Sequence, residues 1–208
     1  MVRSLKKIVF ADSVMPWSMI RAGGSKEETV PIVFAFYLIE TDTRKILVDT
    51  GCEYMDTFPL YHYIPPVEAL SIPAGEITDV ILTHSHHDHA ACTGYYPQAT
   101  VHIHELELPK AEKYLQNTPH IHTFREDFSL EEDIRILWIG GHSPGSCVVE
   151  ILKDGQILVL CGDECYHPYN LQMKEPTASS CCPERSRAFV ETYTKPPYVC
   201  LLCHEVIV

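Results

Sequence analysis

The sequence lacks any long apolar segment. No run of apolar residues approaches the ~20 that a membrane-spanning helix needs, so we expect no membrane partner. Residues 1–7 are basic, yet the apolar core of a signal peptide does not follow them. From these two absences we expect a cytoplasmic protein.

Positive charge is also scarce. The 208 residues include 16 lysines and arginines against 28 aspartates and glutamates, which gives a net charge of −12. An acidic surface repels phosphate backbones, and we therefore expect no nucleic-acid partner. Glycine- and serine-rich linkers, low-complexity segments and internal repeats are absent too, so we predict a single domain over residues 1–208.

Cysteine, in contrast, is abundant and odd in number, with nine residues. Without a secretion signal we expect reduced thiols rather than a disulfide framework. Residues 200–204, Cys-Leu-Leu-Cys-His, match a haem-attachment pattern, but the segment has the composition of a buried strand. The period of two in a strand puts Cys200 and Cys203 on opposite faces, so we expect both to pack as small hydrophobes.

The densest group of chemically active residues lies at 83–89, Thr-His-Ser-His-His-Asp-His. Imidazole nitrogen and carboxylate oxygen suit zinc, iron, nickel or manganese. His84 and His86, two residues apart, point to one side of an extended backbone, and the following Asp88 and His89 point elsewhere. The spacing therefore suits two adjacent metal ions better than one.

Four apolar, strand-like runs each end within a few residues of a candidate ligand. These runs are 79–82 before His84, 134–139 before His142, 156–160 before Asp163 and 198–202 before His204. If the carboxyl ends of these strands gather at one edge of a sheet, all four side chains meet there. Sites are commonly built on loops that a rigid scaffold positions in this way.

The remaining pattern predicts a layered α/β architecture. We predict strands at 5–10, 32–39 and 45–48, and helices at 106–115 and at 183–193, the second with proline in its first turn. Residues 11–30 and 52–75 read as connections, the second with a short helix near 67–70. Four apolar residues of the first connection either line a pocket or pack against the core: Met15, Trp17, Met19 and Ile20.

The order of these motifs resembles the metallo-β-lactamase superfamily. The matching motifs are H-x-H-x-D-H at 84–89, then His142, Asp163 and His204, preceded by Asp49 in Leu-Val-Asp-Thr-Gly. Within the superfamily the chain is most similar to the N-acyl homoserine lactonases, because Tyr166 stands three residues beyond Asp163. The resemblance implies an α/β (α+β) fold, a four-layer αββα sandwich with metals at one edge of two sheets.

The resemblance also implies a division of the ligands between two ions. His84, His86 and His142 would hold one ion, Asp88, His89 and His204 would hold the other, and Asp163 would bridge both. Asp49 would orient a ligand histidine through its second ring nitrogen. The expected cofactors are two Zn²⁺ ions, with iron, cobalt or manganese as alternatives.

The implied activity is opening of a lactone ring or hydrolysis of a related ester, with N-acyl homoserine lactones among the candidate substrates. A hydroxide shared by the two ions would attack the carbonyl carbon, and Tyr166 would donate to the developing oxyanion. Asp88 or Asp163 would pass a proton to the leaving alkoxide. The expected partner is thus a small ester or lactone, and the oligomeric state stays open.

Two alternatives remain from the sequence. One is a thioester hydrolase of the glyoxalase II kind, or another hydrolase on the same fold. The other is redox iron or metal-dependent binding, which is disfavoured by His86 where diiron relatives tend to have glutamate. The chain also departs from the lactonases, which often place an aromatic residue at the position of His87 and glycine at that of Cys203.

Overall fold

The computed structural model describes residues 1–206, and over that range the chain forms two β-sheets. The first sheet has six strands in sequence order: β1 (Val2–Pro16), β2 (Thr29–Thr41), β3 (Lys45–Val48), β4 (Asp79–Ile81), β5 (Thr100–His104) and β6 (His120–Phe124). Strands β1 to β3 pair antiparallel, whereas β3 to β6 pair parallel. Parallel neighbours need crossover connections, and these connections carry short helices.

The second sheet has five strands in the order β11-β10-β9-β8-β7. Its strands are β7 (Phe128–Glu131), β8 (Ile134–Trp138), β9 (Cys147–Lys153), β10 (Gln156–Leu160) and β11 (Tyr198–Leu201). All its neighbours pair antiparallel except β10 and β11, which pair parallel. This sheet therefore holds three of the four strand ends that precede a candidate ligand.

The helices are short except for the last. They are α1 (Trp17–Ile20), α2 (Pro66–Ala69), α3 (His87–Ala90), α4 (Leu108–Ala111), α5 (Pro168–Met173) and α6 (Pro183–Tyr193), with 3₁₀ turns at Ala74–Glu76, Thr93–Tyr95, Glu112–Tyr114 and Gly162–Glu164. Among the residues described, no helix combines the length and apolar character that crossing a membrane requires.

Strand β2 shows why the sheets lie in the middle of the fold. Phe36 and Leu38 face a core beneath the helices of the first sheet, whereas Tyr37 and Ile39 face the second sheet. A strand covered on both faces needs an almost continuous apolar run, which β2 has. Truncating a fully buried side chain such as Phe36 to alanine would cost about 3–5 kcal/mol.

The second sheet is covered in the same way. Its inner face packs on the first sheet, and its outer face packs on α6 through Phe189 and Val190, which contact a core that includes Val148 and Val159. Helix α6 begins and ends where the sequence predicts, with Pro183 at its start. The layers therefore run helix, sheet, sheet, helix, and the predicted αββα sandwich is confirmed.

Some sequence predictions were wrong. Residues 11–16 belong to β1 rather than to a loop, because they pair with β2 residue by residue as far as Pro16 opposite Thr29. Residues 17–20 form α1, and the helix predicted over 106–115 is interrupted, since α4 ends at Ala111 and a 3₁₀ turn follows. The strand ends that precede the candidate ligands come from two sheets, not one, because β4 lies in the first sheet.

Candidate functional site

The seven candidate metal ligands lie together where the two sheets meet. The segment after β4 carries His84 and His86 and continues into α3, which holds Asp88 and His89. The loop between β8 and β9 supplies His142, the 3₁₀ turn after β10 supplies Asp163, and the residues after β11 supply His204. Every candidate ligand except Asp88 belongs to one of two groups of mutually close ligand atoms.

The first donor set consists of His84, His86, His142 and Asp163, whose ligand atoms all lie within 4.8 Å of one another. Nδ1 of His86 lies 3.0 Å from Nε2 of His84 and 2.9 Å from Nε2 of His142. The Oδ2 atom of Asp163 lies 3.5 Å from the His84 nitrogen and 3.4 Å from the His142 nitrogen. Three imidazole nitrogens thus converge with one carboxylate oxygen.

The second donor set consists of His89, Asp163, Cys203 and His204, again within 4.8 Å of one another. Nε2 of His89 and Nε2 of His204 each lie 3.1 Å from Oδ1 of Asp163. The two carboxylate oxygens of Asp163 therefore face different donor sets. Asp88, which the sequence assigns to this side, has its Oδ2 atom 3.4 Å from the His89 nitrogen but is not part of the set.

Second partners of the histidine rings determine which nitrogen is free to act as a ligand. Nδ1 of His89 donates to Oδ2 of Asp49 at 2.7 Å, and Nδ1 of His204 donates to the carbonyl oxygen of Val33 at 3.0 Å. A ring that donates through Nδ1 keeps an electron pair on Nε2. Both Nε2 atoms point at Asp163, and both rings are therefore prepared to bind a cation.

Asp49 has a left-handed backbone, with φ of 65°. Its carboxylate accepts the backbone N–H of Thr83 at 2.8 Å and the Thr83 hydroxyl at 2.9 Å, in addition to the His89 ring. The Thr83 hydroxyl lies 3.0 Å from Nδ1 of His84. Close packing here also requires Gly162, with φ of 49°, because a Cβ there would lie 2.9 Å from the same hydroxyl.

Glu107 is a buried carboxylate that sequence reasoning missed. It accepts the backbone N–H of Ser85 at 3.0 Å, the Ser143 hydroxyl at 2.7 Å and the backbone N–H of Gly145 at 2.8 Å, as well as the Ser85 hydroxyl. These donors lower the pKa of Glu107 although burial alone would raise it. Glu107 thus joins the segment of His84 and His86 to the loop of His142.

Glu164 plays a similar part on the other side of that loop. It accepts the backbone N–H groups of Gly141 and His142, each at 3.0 Å, and the hydroxyls of Ser146 and Ser186. Burial raises the pKa of this carboxyl. The partners of both glutamates lie 18 to 38 residues away in the chain, so no local motif could have identified them.

The electrostatics of the two donor sets differ. Burial lowers the pKa of His142 to about 3 and also lowers the pKa of His86, so these rings are neutral, which is the ligand form. At His89 burial lowers the pKa too, but the nearby carboxylates outweigh burial and raise it above its ordinary value. The carboxylates around His89 therefore favour a positive charge at this position, either on the ring or on a cation bound to Nε2.

Tyr166 lies beside both donor sets. Its ring packs edge-on against His142 and His204, and its Oη atom lies 3.5 Å from Nδ1 of His142. The hydroxyl of Ser179 donates to this Oη atom at 2.8 Å. Burial raises the pKa of Tyr166 well above its ordinary value, so the phenol keeps its proton.

A cavity of about 510 Å³ opens onto the donor sets. This volume is within the usual range for a small-molecule site. One wall is apolar and is formed by Met15, Met19, Phe34, Met55 and Phe58. Of the four apolar residues predicted either to line a pocket or to pack against the core, the two methionines of residues 11–30 therefore line the pocket.

The lining of the cavity also has a polar part, which includes His87. Nδ1 of this residue lies 3.1 Å from the Tyr114 hydroxyl, and its ring centroid lies 4.6 Å from that of Tyr54. Trp17 and Ile20 do not line the cavity. Ile20 is buried in the core of the first sheet, and Trp17 packs edge-on against Tyr169 and His167.

Comparison with known proteins gives the same family as the motifs. Residues 35–168 match the metallo-beta-lactamase superfamily. Over 170 residues the chain is 25% identical to an N-acyl homoserine lactonase of Bacillus thuringiensis, and the match covers 68% of each chain. The resemblance to these lactonases that the motifs indicated is thereby confirmed.

Two solved structures illustrate the similarity of fold. One is an N-acyl homoserine lactone hydrolase with the product N-hexanoyl-L-homoserine at its catalytic metal centre, with a TM-score of 0.81, 19% identity, and coverage of 98% of this chain and 94% of that one. The other is AidC, a dizinc quorum-quenching lactonase, with a TM-score of 0.75, 15% identity, and coverage of 98% and 88%. The family match spans well over half of the chain, which therefore belongs to the metallo-β-lactamase superfamily of hydrolases.

Proposed function

We propose that this hydrolase holds two zinc ions and opens the lactone ring of N-acyl homoserine lactones. The observation that carries the proposal is the position of Asp163. One of its oxygens faces the first donor set and the other faces the second, with the nearest nitrogens at 3.1 to 3.5 Å. A carboxylate placed in this way suits a bridge between two cations.

The residues present fit a pair of zinc ions. Nε2 of His89 is buried and has no hydrogen-bond partner among the described residues, an arrangement that costs about 1–3 kcal/mol unless something binds there. The first donor set offers three nitrogens and an oxygen, and zinc accepts both kinds of ligand. The relatives include a dizinc lactonase, which agrees with this choice of metal.

We assign the ligands as the motifs indicate. His84, His86 and His142 would hold the first ion, His89 and His204 together with Asp88 would hold the second, and Asp163 would serve both. Asp49 holds His89 directly and His84 through Thr83, so the two rings keep their ligand nitrogens directed inward. When bound, zinc supplies a Lewis acid that polarises an ester carbonyl and lowers the pKa of water.

Tyr166 is placed to stabilise negative charge on the substrate. Its hydroxyl lines the cavity beside His142, and it already accepts a hydrogen bond from Ser179. Its own proton is therefore available to a carbonyl oxygen that develops charge during the reaction. Such donors are worth about 3–4 kcal/mol in related oxyanion holes.

Asp88 is placed to move a proton. Its side chain lines the cavity and its Oδ2 atom lies 3.4 Å from Nε2 of His89. Opening of a lactone ring leaves an alkoxide on the substrate, which needs a proton. We propose that Asp88 takes the proton that the attacking water gives up and passes it to the alkoxide, with Asp163 as the adjacent carboxylate.

The shape of the cavity supports an acyl-lactone substrate. An N-acyl homoserine lactone joins a small polar ring to an apolar chain. The donor sets would face the ring, and the wall that contains Met15, Phe34 and Phe58 would contact the chain. An apolar pocket wall of this kind is worth roughly 1–3 kcal/mol for each methylene it recognises.

The test combines metal analysis with a substrate panel. Zinc is quantified in the purified, zinc-loaded protein, and hydrolysis of N-acyl homoserine lactones, simple esters and thioesters is followed by pH-stat titration. We expect two zinc ions per chain and the highest kcat/KM with the lactones. Preference for a thioester would favour the glyoxalase II alternative, and absence of hydrolysis by the zinc-loaded protein would refute the proposed activity.

A further inference from the structure

Lys7 is a half-buried lysine of β1 whose ammonium group contacts the chain segment that carries His204. Its Nζ atom donates to the carbonyl oxygens of Leu202 and Glu205, each at 2.7 Å. These two residues stand on either side of a turn that residues 203 and 204 form. Lys7 therefore holds, from the first sheet, both ends of the turn in which a candidate ligand of the second donor set lies.

The turn leaves the second sheet and docks on the first. Strand β11 ends at Leu201. Beyond it, the backbone N–H of Val33 in β2 donates to the carbonyl oxygen of His204 at 3.1 Å, and Nδ1 of His204 donates to the carbonyl oxygen of Val33 at 3.0 Å. The His204 ring also packs edge-on against Phe34, with centroids 5.3 Å apart. The position of this ring thus depends on the first sheet, although the residue follows a strand of the second.

The surroundings of Lys7 are unfavourable for a charge that lacks good partners. Its side chain lines a small cavity of about 200 Å³ together with Leu5, Tyr37 and Leu201, and burial lowers the pKa of its ammonium group. Within residues 1–206, Nζ forms no ion pair and donates to the two carbonyl oxygens. Hydrogen bonds from a charged donor are among the strongest in proteins, and without Lys7 both carbonyl oxygens would lose this donor.

We propose that Lys7 is a positioning residue for the second metal ion, because it fixes the turn that brings His204 to the donor set. The inference rests on the proposed metal site. Nε2 of His204 and Nε2 of His89 each lie 3.1 Å from Oδ1 of Asp163, so a displaced turn would separate one nitrogen from the other ligand atoms. The three histidines of the first donor set lie on other segments, and the first ion does not depend on this turn.

A small movement of the turn is enough to weaken the second ion. Metal–ligand distances vary by only about 0.2 Å in well-formed sites, so a histidine displaced by more than that loses much of its bond to the metal. Loss of a residue that orients a ligand typically lowers metal affinity about 10- to 100-fold. We expect an effect of this size at the second ion and none at the first.

Three variants test the role of Lys7. K7M keeps a long apolar side chain but removes the donors, K7R restores donors that reach two acceptors, and K6M is the control because Lys6 is exposed and pairs with Glu40 at 3.6 Å. Zinc affinity is measured by competition with a chelator. We expect one of the two binding steps of K7M to weaken about 10- to 100-fold, with K7R and K6M close to wild type. Two unchanged steps, or an equal loss at both, would overturn the inference.

Zinc-edge anomalous scattering from K7M crystals that contain one zinc ion per chain identifies the position that remains occupied. We expect that ion beside His84, His86 and His142. An ion found instead between His89 and His204 would overturn the inference.

The metal-free proteins give a readout that needs no zinc. Nδ1 of His204 donates to Val33 and Nδ1 of His89 donates to Asp49, so each ring N–H has its own signal in a proton–nitrogen NMR spectrum. We expect K7M to shift the His204 signal, K7R to return it, and the His89 signal to stay in place. Two zinc ions bound to wild type together with an unchanged His204 signal in K7M would overturn only the role of Lys7. Failure of wild type to bind two zinc ions would overturn both proposals.

Discussion

Asp49 Oδ2 accepts a hydrogen bond of 2.7 Å from Nδ1 of His89. The same carboxylate accepts the hydroxyl of Thr83, which in turn lies 3.0 Å from Nδ1 of His84. Because His84 and His89 belong to different donor sets, one carboxylate orients a ring in each. The geometry of both sets thus depends on a residue that belongs to neither.

Replacement of Asp49 by asparagine tests this dependence. Asparagine tolerates the left-handed backbone at this position but cannot accept from Thr83 and His89 with two oxygens. We expect zinc affinity to fall about 10- to 100-fold, as measured by competition with a chelator. T83V is the matched variant, since it removes the hydroxyl that lies between Asp49 and His84 but keeps the hydrogen bond from His89 to Asp49, and it should weaken binding of the first ion only. Unchanged affinity in D49N would show that Asp49 does not orient the ligands.

Replacement of Glu107 by alanine tests the connection between the two ligand loops. The backbone N–H groups of Ser85 and Gly145 would lose a buried acceptor, which costs about 3 kcal/mol in the free energy of unfolding. Chemical denaturation of the metal-free protein measures this loss. E105A is the control, because Glu105 pairs with Arg125 at the surface and should change stability by no more than about 0.5 kcal/mol. Equal effects from the two variants would contradict the assigned role.

The stability of the fold should depend on pH through Asp79. Burial raises the pKa of this carboxyl, but hydrogen bonds from His102, Thr78 and Arg44 outweigh burial and lower it. A lowered pKa in the folded state stabilises the protein above the unfolded pKa of about 3.9, and this contribution is lost as the pH falls through the folded pKa.

D79N should therefore be less stable than wild type at neutral pH, and the two stabilities should converge as the pH falls below about 4. Urea denaturation from neutral to acidic pH measures the difference. D154N serves as the control, because Asp154 is exposed and, within residues 1–206, its only ion pair is with the adjacent Lys153. A stability difference between D79N and wild type that stays constant with pH would exclude Asp79 as the source.

Tyr166 should act on the reaction and not on metal binding. We expect Y166F to lower kcat roughly 10-fold or more while zinc content stays at the wild-type level. Y169F is the matched control, since the Tyr169 hydroxyl donates to Glu175 and does not line the cavity. If Y166F keeps the kcat of wild type, Tyr166 has no part in the chemistry.

The sequence predicted the part of the site that depends on strand ends. An apolar strand precedes each of four candidate ligands, His84, His142, Asp163 and His204. These side chains meet because the carboxyl ends of the four strands lie at the same edge of the sandwich. No candidate ligand follows strand β9, so the pattern of an apolar run before a ligand could not predict this strand.

Features that depend on distant partners could not be predicted in this way. Residues 11–16 form a strand because β2 lies alongside them, which overrides a sequence that looks like a loop. Glu107 lies between Leu106 and Leu108 in the sequence, inside the predicted helix, and its buried role follows only from the approach of Ser85 and Gly145.

The most direct test of the dinuclear centre is anomalous X-ray scattering at the zinc edge from crystals of the zinc-loaded protein. We predict two zinc peaks in each chain, one on either side of Asp163, with each ion about 2.0–2.2 Å from a different oxygen of that carboxylate. A single peak, or two peaks that Asp163 does not contact, would contradict the account.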